Sequence, residues 1–206
     1  MRLTTTTFIT LDGVAQAPGA PDEDRSGGFD KGGWLVPLFD DDVASFVDES
    51  FRHGDAYLLG RRTFDIFEAF WPHADVEEDP VVAGGLNRNP KHVVSRTRTT
   101  SDWAGTTFYA GDLRATVEKL KAEPGDELQV HGSPSLVNQL ATLDLVDEYR
   151  LAIFPVVLGS GIRVFPEGQV PRGLELVSAR ASSSGVVLAT YRSTGEPAFG
   201  AIPGID

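Results

Sequence analysis

Residues 56–67 read Ala-Tyr-Leu-Leu-Gly-Arg-Arg-Thr-Phe-Asp-Ile-Phe. The apolar run Ala56 to Leu59, bounded by Gly54-Asp55 and Gly60, predicts a short buried strand. Thr63 then stands where a cap is wanted, ahead of a helix that begins Phe64-Asp65-Ile66-Phe67-Glu68 with two acids in its first turns. Strand, Gly-Arg turn and helix make one βα unit, which presents free backbone N–H groups and positive helix dipole at a sheet edge. Gly60 lets an anion approach the backbone, and Arg61 and Arg62 add forked donors that match phosphate oxygens. Taken alone, the same residues also read as a plain tight turn.

A second unit of this kind lies downstream. Glu127 to Val130 predicts a strand that runs into His131-Gly132-Ser133-Pro134-Ser135, with Ser133 placed as N-cap and Pro134 as first helical residue before Leu136, Val137, Leu140 and Leu143. Hydroxyls here replace arginines. Upstream, residues 2–10 alternate and are rich in β-branched types, a strand closed by Leu11-Asp12-Gly13. Residues 15–33 are dense in Pro, Gly, Asp and Glu, the length of a functional loop and a candidate lid. From Leu38 to His53, Phe39, Val43, Phe46, Val47 and Phe51 recur at helical spacing behind Asp40, Asp41 and Asp42.

Further strands are predicted at His92–Ser95 and Thr106–Tyr109, a helix at Leu113–Lys121, and a long strand at Glu148–Phe154. Leu174–Ala181 and Val186–Arg192, separated by Ser182 to Gly185, form an antiparallel hairpin, and the tail from Gly195 to Asp206 reads as loose. The pattern predicts an α/β domain over residues 1–194: a mixed, mainly parallel sheet flanked by helices, with an antiparallel C-terminal hairpin.

The composition narrows the function. Over 206 residues, 18 basic against 30 acidic side chains give a net charge of −12, which disfavours a nucleic-acid surface or a polybasic membrane anchor. No run approaches the length of a membrane span, no secretory h-region opens the chain, and zero cysteines fit a reducing cytoplasm. His53, His73, His92 and His131 lack the spacing of a metal cage, and no dinucleotide glycine fingerprint, P-loop or nucleophile elbow occurs. One basic segment, Arg88, Lys91, His92, Arg96 and Arg98, stands out against the acidic background and reads as a phosphate monoester site or as a solvated face.

Taken in order, Thr10-Leu11-Asp12-Gly13, Leu59-Gly60-Arg61-Arg62-Thr63-Phe64, Val94-Ser95-Arg96-Thr97 and His131-Gly132-Ser133-Pro134-Ser135-Leu136 resemble the dihydrofolate reductase-like superfold across nearly the whole chain. Leu145 to Leu151, Pro155 to Gly161 and Phe165-Pro166 resemble more closely the reductase domain of the bifunctional riboflavin-biosynthesis deaminase-reductase and its stand-alone relatives. The resemblance implies NADPH as cofactor and hydride transfer to a C=N or C=O group of a small heterocycle. It places Gly60, Arg61, Arg62 and Thr63 at the phosphates, Ser95 and Arg96 near the adenosine 2′-phosphate, and Gly132, Ser133, Pro134 and Ser135 over the pyrophosphate and nicotinamide side. It also implies a homodimer.

For the substrate acid, Asp42 matches the reductase pattern of acid, apolar residue and phenylalanine one turn later; Asp40 flanks the same stripe, and Asp12 ends the first strand. Each also reads as a cap or turn residue. The reaction most resembled is that of 5-amino-6-(5-phosphoribosylamino)uracil reductase, for whose phosphate Arg25, Lys31 and Arg163 are the loop candidates. A dihydrofolate reductase-type activity, another carbonyl or imine substrate, and a nucleotide-binding module without turnover are the alternatives.

Overall fold

Strands that are apolar on both faces must be covered on both sides, and the chain meets this demand with one sheet between helical layers. The computed structural model describes residues 1–203. Its strands are β1 (Arg2–Thr10), β2 (Gly54–Gly60), β3 (Lys91–Val94), β4 (Thr106–Tyr109), β5 (Glu127–His131), β6 (Glu148–Phe154), β7 (Gly173–Ala181) and β8 (Val187–Gly195). Its α-helices are α1 (Asp41–Phe51), α2 (Arg61–Phe70), α3 (Val82–Arg88), α4 (Leu113–Lys121) and α5 (Pro134–Thr142). The eight strands lie in the order β4-β3-β2-β5-β1-β6-β8-β7. The first six are mutually parallel, and β8 runs antiparallel to both β6 and β7. This is the mixed sheet with an antiparallel C-terminal hairpin that the sequence predicts.

One face of the sheet packs Leu3, Leu58, Leu128 and Val130 against Val117, Leu120, Leu136 and Leu140 of α4 and α5. The opposite face meets α1 through Val43 and Phe46, and α2 and α3 through Phe64, Val82 and Leu86. Each fully buried side chain of this size contributes about 1.5–3 kcal/mol of transfer free energy. β1 sits centrally, between β5 and β6, and the parallel strands deliver their carboxyl ends to one edge. That edge is where an open α/β sheet leaves a crevice.

Two local expectations change, and one helix is unexpected. α2 starts at Arg61 with Gly60 in the N-cap position, so Thr63 is a helical residue and does not cap. Ser133 occupies the N-cap of α5 but at φ 54 and ψ 60, without a side-chain cap bond, because its hydroxyl is used elsewhere. α3 carries Gly84-Gly85 in its middle, and a Cβ on Gly85 would meet the Tyr57 hydroxyl at 2.7 Å, so the ring and the helix approach closely only with glycine there. Beyond Gly195, residues 196–203 belong to no helix or strand, and the remaining tail lies outside the described residues.

Candidate active site

The two βα junctions meet at the sheet edge. The Ser133 hydroxyl accepts from the Gly60 amide at 3.0 Å and donates to Thr63 Oγ1 at 2.7 Å. The approach is close: a Cβ on Gly60 would stand 3.0 Å from Ser133 Oγ and 3.2 Å from its Cβ, so a side chain there would push the two junctions apart by a few tenths of an ångström. Gly132, at φ 61, makes the left-handed step that turns the chain into α5. Above them opens a cavity of about 990 Å³, lined by Gly60, Arg61, Arg62 and Thr63 from one junction and by Gly132, Ser133, Pro134 and Ser135 from the other. The cavity continues between α1 and α2, where Val47, Asp48 and Phe51 face Ile66, Phe67, Phe70 and Trp71.

The loop over residues 15–33 forms one wall of this cavity through Ala15 to Ala20, Glu23 and Asp24. Gln16 holds the loop together: its amide nitrogen donates to Asp24 O and Ser26 O at 3.2 and 3.0 Å, its Oε1 accepts from Ile162 N at 3.0 Å, and its carbonyl accepts from the Trp34 indole at 2.8 Å. Arg62 reaches across to donate to Asp24 at 2.5 Å and Ser26 Oγ at 3.0 Å.

The expected phosphate donors are therefore engaged within the protein. Arg61 donates to Asp65 at 2.5 Å, and Asp65 also accepts from Arg98 at 2.7 Å. Exposed pairs of this kind contribute about 0.3–0.5 kcal/mol. Gly60 pairs with Val94 in the β2–β3 register, so Ser95 and Arg96 leave the sheet beside Arg61. Ser95 Oγ accepts from Arg98 N at 2.8 Å and shapes the turn, while the Arg96 side chain is exposed and forms no ion pair among the described residues. Neither lines the cavity.

The basic segment divides. Lys91 is fully buried, donates to Leu86 O and Asn89 O at 2.6 and 2.9 Å and lies 4.6 Å from the Trp103 ring; burial pushes its pKa down to about 8. His92 is buried against Tyr109, its pKa lowered by burial. Arg98 is spent on Asp65 and Glu68. Only Arg88 and Arg96 of the set stay exposed.

The expected acids do not reach the cavity. Asp12 accepts from Thr10 Oγ1 at 2.6 Å and from the amides of Leu158 and Gly159 at 3.2 and 2.8 Å, and Arg163 lies 3.4 Å away. These bonds, the Thr10 hydroxyl first, hold its pKa down to about 2. Asp12 ties the end of β1 to the loop after β6. Asp42 accepts from the Ser183 amide and hydroxyl, both at 2.8 Å, and Asp40 caps α1 through Val43 N at 2.9 Å while accepting from Ser184 N at 2.7 Å. Both anchor α1 to the β7–β8 turn, so the structure brings none of Asp12, Asp40 and Asp42 to the cavity wall.

Four other carboxylates line the cavity: Glu23, Asp24, Asp48 and Asp79. Asp79 caps α3 through Val82 N at 2.8 Å, Asp24 holds Arg62, and Glu23, its pKa raised by burial, accepts from the amides of Gly19 and Ala20. Asp48 alone carries no hydrogen bond or ion pair on its carboxylate among the described residues. The sequence pattern points to the first turn of the helix instead, where three consecutive aspartates stand. Its signal was Asp48 next to the apolar stripe, three residues before Phe51.

His131 is the other polar group that sequence reading left unassigned. It lines the cavity, stacks on Phe51 at a centroid distance of 3.8 Å, and its Nε2 lies 2.9 Å from Gln129 Oε1. Beneath it Glu127, Arg150 and Glu148 form a buried ion network reached from the surface by Arg2.

The likeness to known proteins agrees with this architecture. The chain is 31% identical over 188 residues to the uncharacterized protein YyaP of Bacillus subtilis, covering 91% of this chain and 92% of that one. It is 26% identical over 163 residues to YwjB of the same organism, covering 77% and 79%. Among solved structures, a putative riboflavin biosynthesis protein from Shewanella sp. PV-4 superposes with a TM-score of 0.65 at 21% identity, over 94% of this chain and 99% of that one. A pyrimidine reductase-like protein from Corynebacterium diphtheriae gives 0.60 at 14% identity, over 95% and 92%. The model of the RibD C-terminal domain matches residues 2–188, and the chain accordingly belongs to the RibD C-terminal domain family.

Proposed function

We propose that the protein is an NADPH-dependent reductase of a small heterocyclic substrate. The observation that carries this is the joining of two βα junctions by Ser133 over one cavity, with glycine backbone, hydroxyls and guanidiniums on one side and a mainly apolar, aromatic slot on the other. The residues present fit a dinucleotide: Gly60, Thr63, Gly132 and Ser135 would hold its phosphates, with Arg61 and Arg62 released from their exposed pairs and Arg96 beside them for a 2′-phosphate. When bound, the nicotinamide supplies the hydride, and the fold supplies orientation.

On the substrate side, Phe8, Phe39, Phe51, Phe67 and Trp71 enclose a planar ring and exclude water, and Asp48 holds a ring N–H or delivers a proton to it. Membership in the family makes 5-amino-6-(5-phosphoribosylamino)uracil the first substrate to test. Of the cations expected to serve its phosphate, Arg25 pairs with Asp22, Lys31 with Asp30 and Arg163 with Asp12, and none lines the cavity. That placement favours, as a second reading, a ring without the phosphate, reduced in a dihydrofolate reductase-like manner or at another imine or carbonyl.

We assign the enzyme to the cytoplasm on its lack of cysteine; among the described residues no helix is long and apolar enough to cross a membrane. As partner we assign a second copy of the chain, met through the exposed edge strand β7 with its uncovered Leu174, Leu176 and Val177. The direct experiment is titration with NADPH and NADH, following the fluorescence of Trp71 in the cavity and of Trp34 and Trp103, corrected for cofactor absorption. Saturable, NADPH-selective quenching supports the reading. Binding of neither nucleotide overturns it and leaves a module without turnover.

A further inference from the structure

Among the described residues His131 is the only imidazole on the cavity, and its surroundings are built with unusual care for one ring. Phe51 stacks on one face at an interplanar angle of 15°, and Tyr57 lies 5.8 Å away at a tilt. The Gln129 amide nitrogen donates to Ser50 O at 2.6 Å and to Glu127 Oε2 at 2.8 Å, which leaves Gln129 Oε1 as an acceptor. His131 Nε2 must therefore carry the ring proton, and Nδ1 is an acceptor with no partner among the described residues.

The scaffold behind this assignment is rigid. Arg150 donates to both Glu127 oxygens at 2.6 and 3.0 Å and to Glu148 at 2.8 Å, fixing the carboxylate that in turn fixes Gln129. The charge that acts on the ring is Arg150, held by Glu127 on the strand side, and Asp48 of α1 lines the same cavity. Burial, reinforced by the Arg150 charge, pushes the His131 pKa down to about 3. A phenylalanine would fill the same slot against Phe51 without any buried network. What the imidazole adds is an acceptor nitrogen of fixed tautomer.

Its cross-strand neighbour supplies the complement. Thr6 pairs with His131 in the β1–β5 register and lines the same cavity, and its buried hydroxyl has no hydrogen-bond partner among the described residues. As a hydroxyl it can donate as well as accept.

We propose that His131 is a positioning and specificity residue whose Nδ1 accepts an N–H of the substrate ring while the Thr6 hydroxyl serves the adjacent carbonyl, so that the cavity selects a cyclic amide presenting N–H beside C=O. The proposal rests on the reductase reading of the cavity but is tested separately from it. The probes are 5,6-diaminouracil and its 1,3-dimethyl derivative, in which both ring N–H groups are blocked, titrated calorimetrically into the wild type and His131→Phe with and without NADPH. The wild type is expected to bind the N–H form at least tenfold more tightly; His131→Phe, which keeps the stack on Phe51, should lose that preference while holding NADPH within twofold.

Equal affinity for the two probes, binding of neither, survival of the preference in His131→Phe, or loss of NADPH binding in that variant when the wild type binds it overturns the proposal. Failure of NADPH to bind the wild type strikes the reductase reading instead, and the probe preference is still decided by the two uracils. Should His131→Phe not fold, ¹⁵N spectra of the wild-type imidazoles decide the matter. The unprotonated Nδ1 resonance should shift upfield on adding 5,6-diaminouracil and stay still with the dimethyl form, and an unmoved resonance overturns the assignment.

Discussion

The Ser133 hydroxyl, 2.7 Å from Thr63 Oγ1 and 3.0 Å from the Gly60 amide, builds a side chain of the β5–α5 junction into the β2–α2 junction. The backbone at Ser133 is left-handed to allow this, a conformation that costs a non-glycine residue about 1–3 kcal/mol at such sites. Strain is therefore held where the two anion-binding turns meet, and it is offset by two hydrogen bonds.

Two substitutions separate these contributions. Ser133→Ala keeps the strain and leaves the Gly60 amide without its partner, and should lower unfolding free energy by about 1–3 kcal/mol. Ser133→Gly loses the same bonds but relaxes the backbone, so its loss should be smaller by about 1 kcal/mol. Urea unfolding measures both; a glycine variant less stable than the alanine variant would show that strain plays no part. Both variants should weaken NADPH several-fold.

Arg96 is expected to discriminate between the cofactors. Its side chain is exposed without an ion pair among the described residues, beside Arg61 at the end of β3, and only NADPH carries the extra phosphate. Arg96→Ala combined with Arg61→Ala should raise the Kd for NADPH at least tenfold and that for NADH less than threefold. Equal losses would detach these arginines from the 2′-phosphate.

Asp48 and Asp42 make opposite predictions although they share a helix. Asp48→Asn removes the cavity carboxylate that is not engaged among the described residues and should lower kcat at least tenfold with NADPH affinity retained. Asp42→Asn disturbs the anchor to Ser183 and the ion pair with Arg180, and should cost about 1 kcal/mol of stability with kcat within twofold. The steady-state kinetics of the pair decide whether the substrate acid lies at the first turn of α1 or two turns on.

The individual strands and both βα junctions could be read from the chain because glycine, proline and apolar runs there obey local rules. Asp48 and His131 could not be assigned in the same way. Their roles depend on which neighbours leave a polar group without a partner, and those neighbours come from distant segments: Gln129 and Phe51 for His131, Ser183 and Ser184 for the acids that Asp48 replaces. One local signal was present. Glu127, Gln129 and His131 alternate on β5, and Glu148 and Arg150 on β6, a polar period of two on central strands that marks a buried network rather than a solvated face.

Acid stability should report on Asp12. Its folded-state pKa of about 2 lies below the ordinary carboxylate value of 3.8, so its contribution is complete above the unfolded pKa and is lost as pH falls toward 2. Asp12→Asn should be less stable than wild type at pH 7, and the difference should shrink between pH 4 and pH 2. A constant difference across that range, followed by denaturant unfolding, would mean that the carboxylate charge is not what fastens β1 to Leu158 and Gly159.

The edge strand β7 yields the last prediction. Edge strands are ordinarily shielded by charge, brevity or a covering element, yet β7 is nine residues long and pairs only with β8. Leu176 is 54% exposed and Val177 45%, with Leu174 nearby, so a two-fold copy of the strand would cover apolar side chains and unpaired backbone groups together. Leu176→Lys places a charge in that interface while leaving the strand's own pairing with Tyr191 intact. Light scattering should find a dimer for the wild type and a monomer for Leu176→Lys, with NADPH affinity unchanged because the cavity lies on the far side of β6 from this edge. A dimer that survives the lysine would move the interface off β7.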